Sequence, residues 1–207
     1  METINFFIKT KMIKETGYWT SDDTNAKHVH DPNLAEWILN YLHNDKDKQL
    51  IDFGCGMGDY LKKLHENGFT NLYGFEGEVR EGSLDFIKSW DLTNPIRDCE
   101  NYDYLKNNAY NTICLEVGEH IPKQFESVFL NNITSLTTNK ILSSWAIIGQ
   151  GGDGHVNCMN NDEVISKMSD LGFDYLEEDS MSARNSVSVK IAPWFLNTIM
   201  IFQKKQL

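Results

Sequence analysis

The stretch QLIDFGCGMGDYLKKLHENG, residues 49–68, decides how the chain is read. A short apolar run ends at Phe53 and gives way to alternate glycines at Gly54, Gly56 and Gly58, after which apolar residues recur at helical spacing as far as Gly68. This pattern predicts a buried strand, a glycine turn and an amphipathic helix with Gly68 as its C′ residue. Glycines between a strand and a helix let the backbone turn tightly and approach a ligand closely. Asp52 stands just before the turn, and Glu76 closes the next apolar run, NLYGFE, 22 residues after Gly54. A carboxylate there can accept hydrogen bonds from ribose hydroxyls.

Outward from this unit the text keeps alternating. Upstream, DPNLAEWILNYLH predicts a helix with Asp31 as N-cap, Pro32 at N1, and Leu34, Ile38, Tyr41 and Leu42 on one face. Downstream, FIKSWDLT holds a third strand, YNTICLEV a fourth, KILSSWAIIG a fifth and NTIMIFQKK a last one. IPKQFESVFLNNI and NDEVISKMSDLGF read as helices, the second capped by Asn160 or Asn161. Strands separated by helices predict a mostly parallel sheet covered on both faces, with ligands at the carboxyl ends of its strands. The chain of 207 residues is expected to form one domain, residues 1–207, with residues 1–30 as an N-terminal arm or lid whose Tyr18 and Trp19 pack over a pocket.

Composition narrows the function classes. A formal charge of −11 argues against a polyanion-binding surface, so a nucleic-acid partner is not expected. The four cysteines, Cys55, Cys99, Cys114 and Cys158, form no CxxC pair, which excludes a zinc ribbon and suits reduced thiols in a cytoplasmic compartment. No apolar run approaches the roughly 18 residues of a membrane span, and a soluble protein without a membrane partner is expected. Oligomeric state is not legible.

The D-x-G-C-G-x-G turn with its distant acid resembles that of the class I S-adenosylmethionine-dependent methyltransferases, over about Gln49 to Lys204. The resemblance implies a Rossmann-like α/β three-layer sandwich with a seven-stranded, mostly parallel sheet and an antiparallel last strand. It also implies S-adenosylmethionine as cofactor: Asp52, Gly54 and Gly56 at its methionine part, Glu76 on the ribose, Asp91 and Leu92 beside the adenine, and Glu116 near the donor. A dinucleotide dehydrogenase would have glycine three positions after Gly56, where this chain has Asp59.

LEVGEHIP, residues 115–122, is similar to the family's fourth-strand motif and concentrates Glu116, Glu119 and His120 where a core strand meets a loop. His120 is a candidate base, with an ordinary pKa of about 6.5, and Glu119 and His155 are candidate catalytic partners. Glu116, Glu119, His120 and His155 form a candidate set for a divalent cation, which would lower the pKa of an acceptor hydroxyl. That pattern resembles the metal site of small-RNA 3′-end 2′-O-methyltransferases and of ubiquinone-pathway O-methyltransferases. However, His155 follows His120 by only 35 residues, in a glycine loop unlike theirs. In GQGGDGHVN, Gln150, His155 and Asn157 are candidates for an acceptor surface, and Arg184 and Trp194 either line the same pocket or cover the sheet edge, which the sequence does not decide. His28 and His30 read as solvent-exposed. The expected function is methylation of a small-molecule or sugar hydroxyl. RNA 2′-O-methylation with a metal, N-methylation of a metabolite, a non-enzymatic cofactor-binding module and a nucleotide-dependent oxidoreductase stay open.

Overall fold

Strand β1 (Gln49–Phe53) is buried along its whole length, and its side chains alternate between two cores. Ile51 and Phe53 enter one apolar cluster, Leu50 the other, because successive side chains of a strand point to opposite faces. The computed structural model describes residues 13–20 and 28–206, so residues 1–12 and 21–27 of the expected arm lie outside the described residues.

The elements run α1 (Pro32–Tyr41), β1, α2 (Asp59–Glu66), β2 (Leu72–Glu76), β3 (Ile87–Ser89), α3 (Tyr102–Asn108), β4 (Ala109–Cys114) and α4 (Glu126–Leu136). They continue through β5 (Lys140–Ser143), α5 (Asn161–Asp170), β6 (Phe173–Tyr175), α6 (Glu177–Ser186), α7 (Phe195–Thr198) and β7 (Met200–Lys204). The sheet order is β3-β2-β1-β4-β5-β7-β6. β7 is antiparallel to both β5 and β6, and the pairs from β3 to β5 are parallel. Helices α3, α4 and α5 cover one face through Leu105, Phe129, Ile133 and Val164. The other face is covered by α1, α2, α6 and α7 through Leu34, Leu61, Ala183 and Phe195. The seven-stranded three-layer architecture is as expected.

Strand order reverses between β1 and β4, and such a reversal opens a crevice beyond the carboxyl ends of those two strands. Several elements are shorter than their apolar runs, all at this edge. β4 stops at Cys114 because Glu116 adopts φ 53°, a left-handed conformation that no strand continues through. β5 stops at Ser143, whose partner Met200 begins β7; beyond it Ser144 N–H donates to the Cys114 carbonyl and Trp145 Nε1–H to the Asn157 carbonyl. α4 starts at Glu126 rather than at Ile121, Pro122 forming an extended corner and a 3₁₀ turn preceding the helix. α1 keeps the foreseen cap: Asp31 Oδ1 accepts from the N–H groups of Asn33 and Leu34. α5 is capped by Asn160, with Glu163 completing a capping box.

The loop after β3 is fixed by one amide. Buried Asn132 of α4 accepts from Ile96 N–H at 2.8 Å and donates to the carbonyls of Leu92 and Asn94 at 2.9 Å each. Replacing it with leucine leaves the Ile96 N–H and the Leu92 carbonyl unpaired and the Asn94 carbonyl with only the Trp90 Nε1–H bond at 3.4 Å, so Asn132→Leu is expected to lower unfolding free energy by about 2–4 kcal/mol, read by urea titration.

Candidate active site

A cavity of about 410 Å³ opens at the reversal point, lined from β1, β2 and β4, the loop after β3, the glycine loop after β5, the turn into α7 and the N-terminal arm. Its floor is the glycine turn. Gly54 (φ 76°) and Gly56 (φ 57°) both sit in left-handed backbone, and a β-carbon at Gly54 would lie 2.4 Å from Val117 Cγ2. Gly54 and Cys55 donate to the Phe75 carbonyl, and Gly56 N–H donates to Glu76 Oε2 at 2.8 Å. Glu76 Oε1 accepts from Gly77 N–H at 3.0 Å, so the carboxylate is oriented by backbone alone and both oxygens keep lone pairs for a ligand. Asp52, buried beside it, has its carboxyl pushed up to about 8 by loss of solvent and then by the Glu76 charge. Trp90, Asp91 and Leu92 form the wall beyond β2, with Asp91 Oδ1 accepting from Thr93 N–H and Oγ1–H.

The opposite wall comes from LEVGEHIP. Glu116, the non-glycine residue with positive φ among those described, is held by Ser144 Oγ at its N–H, while its carboxylate accepts from Gln150 Nε2–H at 2.8 Å and Thr198 Oγ1–H at 3.3 Å. Burial holds its pKa above the ordinary carboxylate range. Glu119 is 0% exposed, and its carboxyl lies beside the Glu116 carboxyl and the Ala146 backbone, although neither oxygen makes a hydrogen bond of good geometry among the described residues. Burial, with the nearby Glu116 charge, raises its pKa well above normal. The Glu119 carbonyl accepts from Val156 and Asn157 N–H, which lays the glycine loop against this turn. His155 Nε2 consequently stands 3.9 Å from Glu119 Oε1, and the His120 and His155 rings meet edge to face at 5.0 Å. His120 is pushed down to about 4, first by burial and then by His155, so its imidazole is neutral at physiological pH. Glu119, His120 and His155 each place one ligand atom within 4.8 Å of the others.

The arm closes the top. A β-carbon at Gly77 would lie 2.3 Å from Tyr18 Cβ, and one at Gly17 would lie 2.1 Å from the His120 carbonyl oxygen. Ile13 pairs with Trp19 in an antiparallel bridge and reaches Gly154, and the Trp19 ring stands edge-on to His120 at 5.8 Å.

All the expected donor-side residues, Asp52, Gly54, Glu76, Asp91, Leu92 and Glu116, line this cavity except Gly56, which forms its turn behind His28. His120, His155, Gln150 and Trp194 line it as well. Glu119 lies behind His120 and His155. The ligand atoms that converge belong to Glu119, His120 and His155; Glu116, whose oxygens accept from Gln150 and Thr198, is not among them, although each oxygen keeps a lone pair. One acceptor-surface expectation is corrected: Asn157 donates to Glu126 Oε2 inside the core. Of the two places open to Arg184, the structure has it away from the cavity lining, its Nε–H donating to the Ile199 carbonyl. His28 and His30 are partly buried in the lining rather than solvent-exposed: a β-carbon at Gly56 would lie 2.4 Å from His28 Nδ1, and His30 packs edge-on against Tyr60 at 4.9 Å. Burial lowers the His28 pKa. Tyr60 and Trp90 were missed; their only signal was position next to the glycine turn and beside Asp91.

No protein-family model matches the chain, and no curated protein is similar to it by sequence. Solved structures share the fold. Magnesium protoporphyrin IX methyltransferase from Synechocystis PCC 6803, crystallised with S-adenosylmethionine, is 16% identical with a TM-score of 0.54 over 83% of this chain and 78% of its own. The sugar N-methyltransferase KedS8 from Streptoalloteichus sp ATCC 53650 is 10% identical with a TM-score of 0.59, over 88% and 90%. The [4+2]-cyclase SpnF is 12% identical with a TM-score of 0.57, over 94% and 88%. The chain therefore has the class I methyltransferase fold.

The raised pKa of Asp52 has a stability signature. Between its ordinary 3.8 and about 8 the unfolded chain releases a proton that the folded chain keeps, so stability falls as pH rises through this window. The melting temperature of the ligand-free protein should drop from about pH 5 to pH 8.5, and Asp52→Asn should flatten that drop. Identical slopes for both proteins in calorimetric scans would contradict it.

Proposed function

We propose that the chain transfers the methyl group of S-adenosylmethionine to a small-molecule acceptor, with a hydroxyl oxygen favoured as nucleophile. The observation that carries this reading is the Glu76 carboxylate, held by Gly56 and Gly77 N–H groups at the crevice of a methyltransferase fold. The residues fit the donor: a turn without β-carbons for close approach, a ribose acid with free lone pairs, and the Trp90–Leu92 wall for a planar base. When bound, the sulfonium supplies an already activated methyl group. The chain's own work is to orient the acceptor, exclude water and receive the acceptor's proton.

His120 suits the last role, being neutral and in the lining on the Glu116 side. His155 and buried Glu119 stand next to it and would hold its ring and the acceptor in place. The arm, touching both Gly77 and His120, would cover the loaded cavity as a lid. A second reading rests on the convergence of Glu119, His120 and His155: the Glu119 oxygens lack a well-formed hydrogen bond among the described residues and with the two imidazoles fit one divalent cation, and such a cation would acidify an acceptor hydroxyl. No helix is long and apolar enough to cross a membrane among the described residues, and the chain's charge of −11 favours a small acceptor over a nucleic acid.

Calorimetry tests the donor. S-adenosylhomocysteine should bind and NAD should not, and Glu76→Ala should weaken the former about tenfold or more through loss of charged hydrogen bonds. Binding of NAD without S-adenosylhomocysteine would overturn the reading. For the cation, titration with Mn²⁺ or Zn²⁺ should show one site that His155→Ala and Glu119→Gln each abolish; an unaltered isotherm in both variants removes the metal.

A further inference from the structure

The cavity described above has an unusual charge inventory. Six acidic side chains line it, Asp52, Asp59, Glu76, Asp91, Glu116 and Asp153, of which Asp52 is pushed up to about 8 and stays protonated near neutrality, whereas no lysine or arginine among the described residues does. Arg80 stays outside the lining, its guanidinium 4.0 Å from the Met57 sulfur on the donor side. Four of the acids flank the glycine turn and the wall beyond it. Glu116 and Asp153 belong to the other side, with His120 and His155.

Between these acids the walls are aromatic: Tyr18, Trp19, Tyr60, Trp90, Trp194 and Phe195. Aromatic faces are electron-rich and attract cations and flat rings, and they repel an anion laid against them. The Trp194 side chain also belongs to this wall, while its indole Nε1–H is buried beneath the surface without a hydrogen-bond partner among the described residues.

A phosphate or carboxylate brought into this space would be stripped of water among acids, with no guanidinium or ammonium among the described lining residues to answer it, and such unpaired burial costs several kcal/mol. The bound donor offsets little of this, since its sulfonium, ammonium and carboxylate sum to one positive charge. A cation at Glu119, His120 and His155 would be balanced largely by Glu119 and Glu116 beside it. We infer that the acceptor is a small molecule with a flat aromatic or heteroaromatic face, a lone-pair group such as a hydroxyl, and an amine or no charge at all, and that it carries no phosphate or carboxylate. This rests on the methyltransferase reading and names the acceptor class within it. Trp194 and Glu116 are its specificity-determining residues: the indole ring receives the flat face, and the carboxylate receives the amine.

Matched probes test it on the full-length protein saturated with S-adenosylhomocysteine. Tyramine and 4-hydroxyphenylacetate share a phenol and differ in the sign of the tail charge; uridine and uridine 5′-monophosphate differ by a phosphate. Tyramine is expected to bind at least about tenfold more tightly than 4-hydroxyphenylacetate, and uridine more tightly than its monophosphate, by calorimetry or ligand-observed NMR. The tyramine preference should shrink in Glu116→Gln and in high salt, and Trp194→Phe should weaken tyramine while leaving its preference over the acid in place. Equal or tighter binding of either anion, or no tyramine binding at millimolar concentration, overturns the inference. The saturating step separates the two claims: if S-adenosylhomocysteine itself does not bind, the donor reading fails; if it binds and the charge preference is missing, only the acceptor class fails.

Discussion

The hydrogen bond from Gly56 N–H to Glu76 Oε2 is the constraint on which the site depends. It ties the turn after β1 to the end of β2, and it does so with an acid that is almost buried. The acid is tolerable there because it accepts two backbone N–H groups, and charge-assisted bonds of this kind are stronger than neutral ones. From that tie the other pieces follow. The turn must pass close to Val117, Val117 fixes where LEVGEHIP leaves the sheet, and the glycine loop settles on the Glu119 carbonyl.

Acidity is therefore concentrated rather than avoided. Asp52 is raised by solvent loss and Glu76, and Glu119 by solvent loss and Glu116, so the cavity contains carboxyl groups that resist ionisation until something positive or hydrogen-bonding arrives. Such groups reduce the stability of the empty protein and strengthen its affinity for the right ligand. The left-handed Glu116 is a second cost of the same kind, since a non-glycine residue in that region is strained by about 1–3 kcal/mol and persists only where its surroundings enforce it. Ser144, Gln150 and Thr198 supply that enforcement.

Most of the sheet was legible because buried strands carry continuous apolar runs and glycine marks their ends. The parts that were not legible have a common physical origin. β6 has three residues and only Phe173 fully buried, and α6 is polar over most of its length, so neither shows a clear period. α3 is short and buries Leu105 alone. In the site, the glycine turn, Glu76 and the Glu119–His120–His155 group could be read because their residue types are rare at a core strand's end. His28 was misread because its burial comes from a missing β-carbon at Gly56, a contact between segments that no local pattern records. Asn157 was misread for the opposite reason: a polar residue near a glycine loop looks functional until its partner, Glu126, is seen.

The arm has one further consequence, which concerns order in time. Tyr18 rests on the residue after Glu76, and Gly17 and Trp19 rest on His120, only a few residues apart in one segment. Under the methyl-transfer reading proposed above, a segment that short would uncover the Glu76 end and the His120 end together, so the spent donor and the modified acceptor would leave in one opening event.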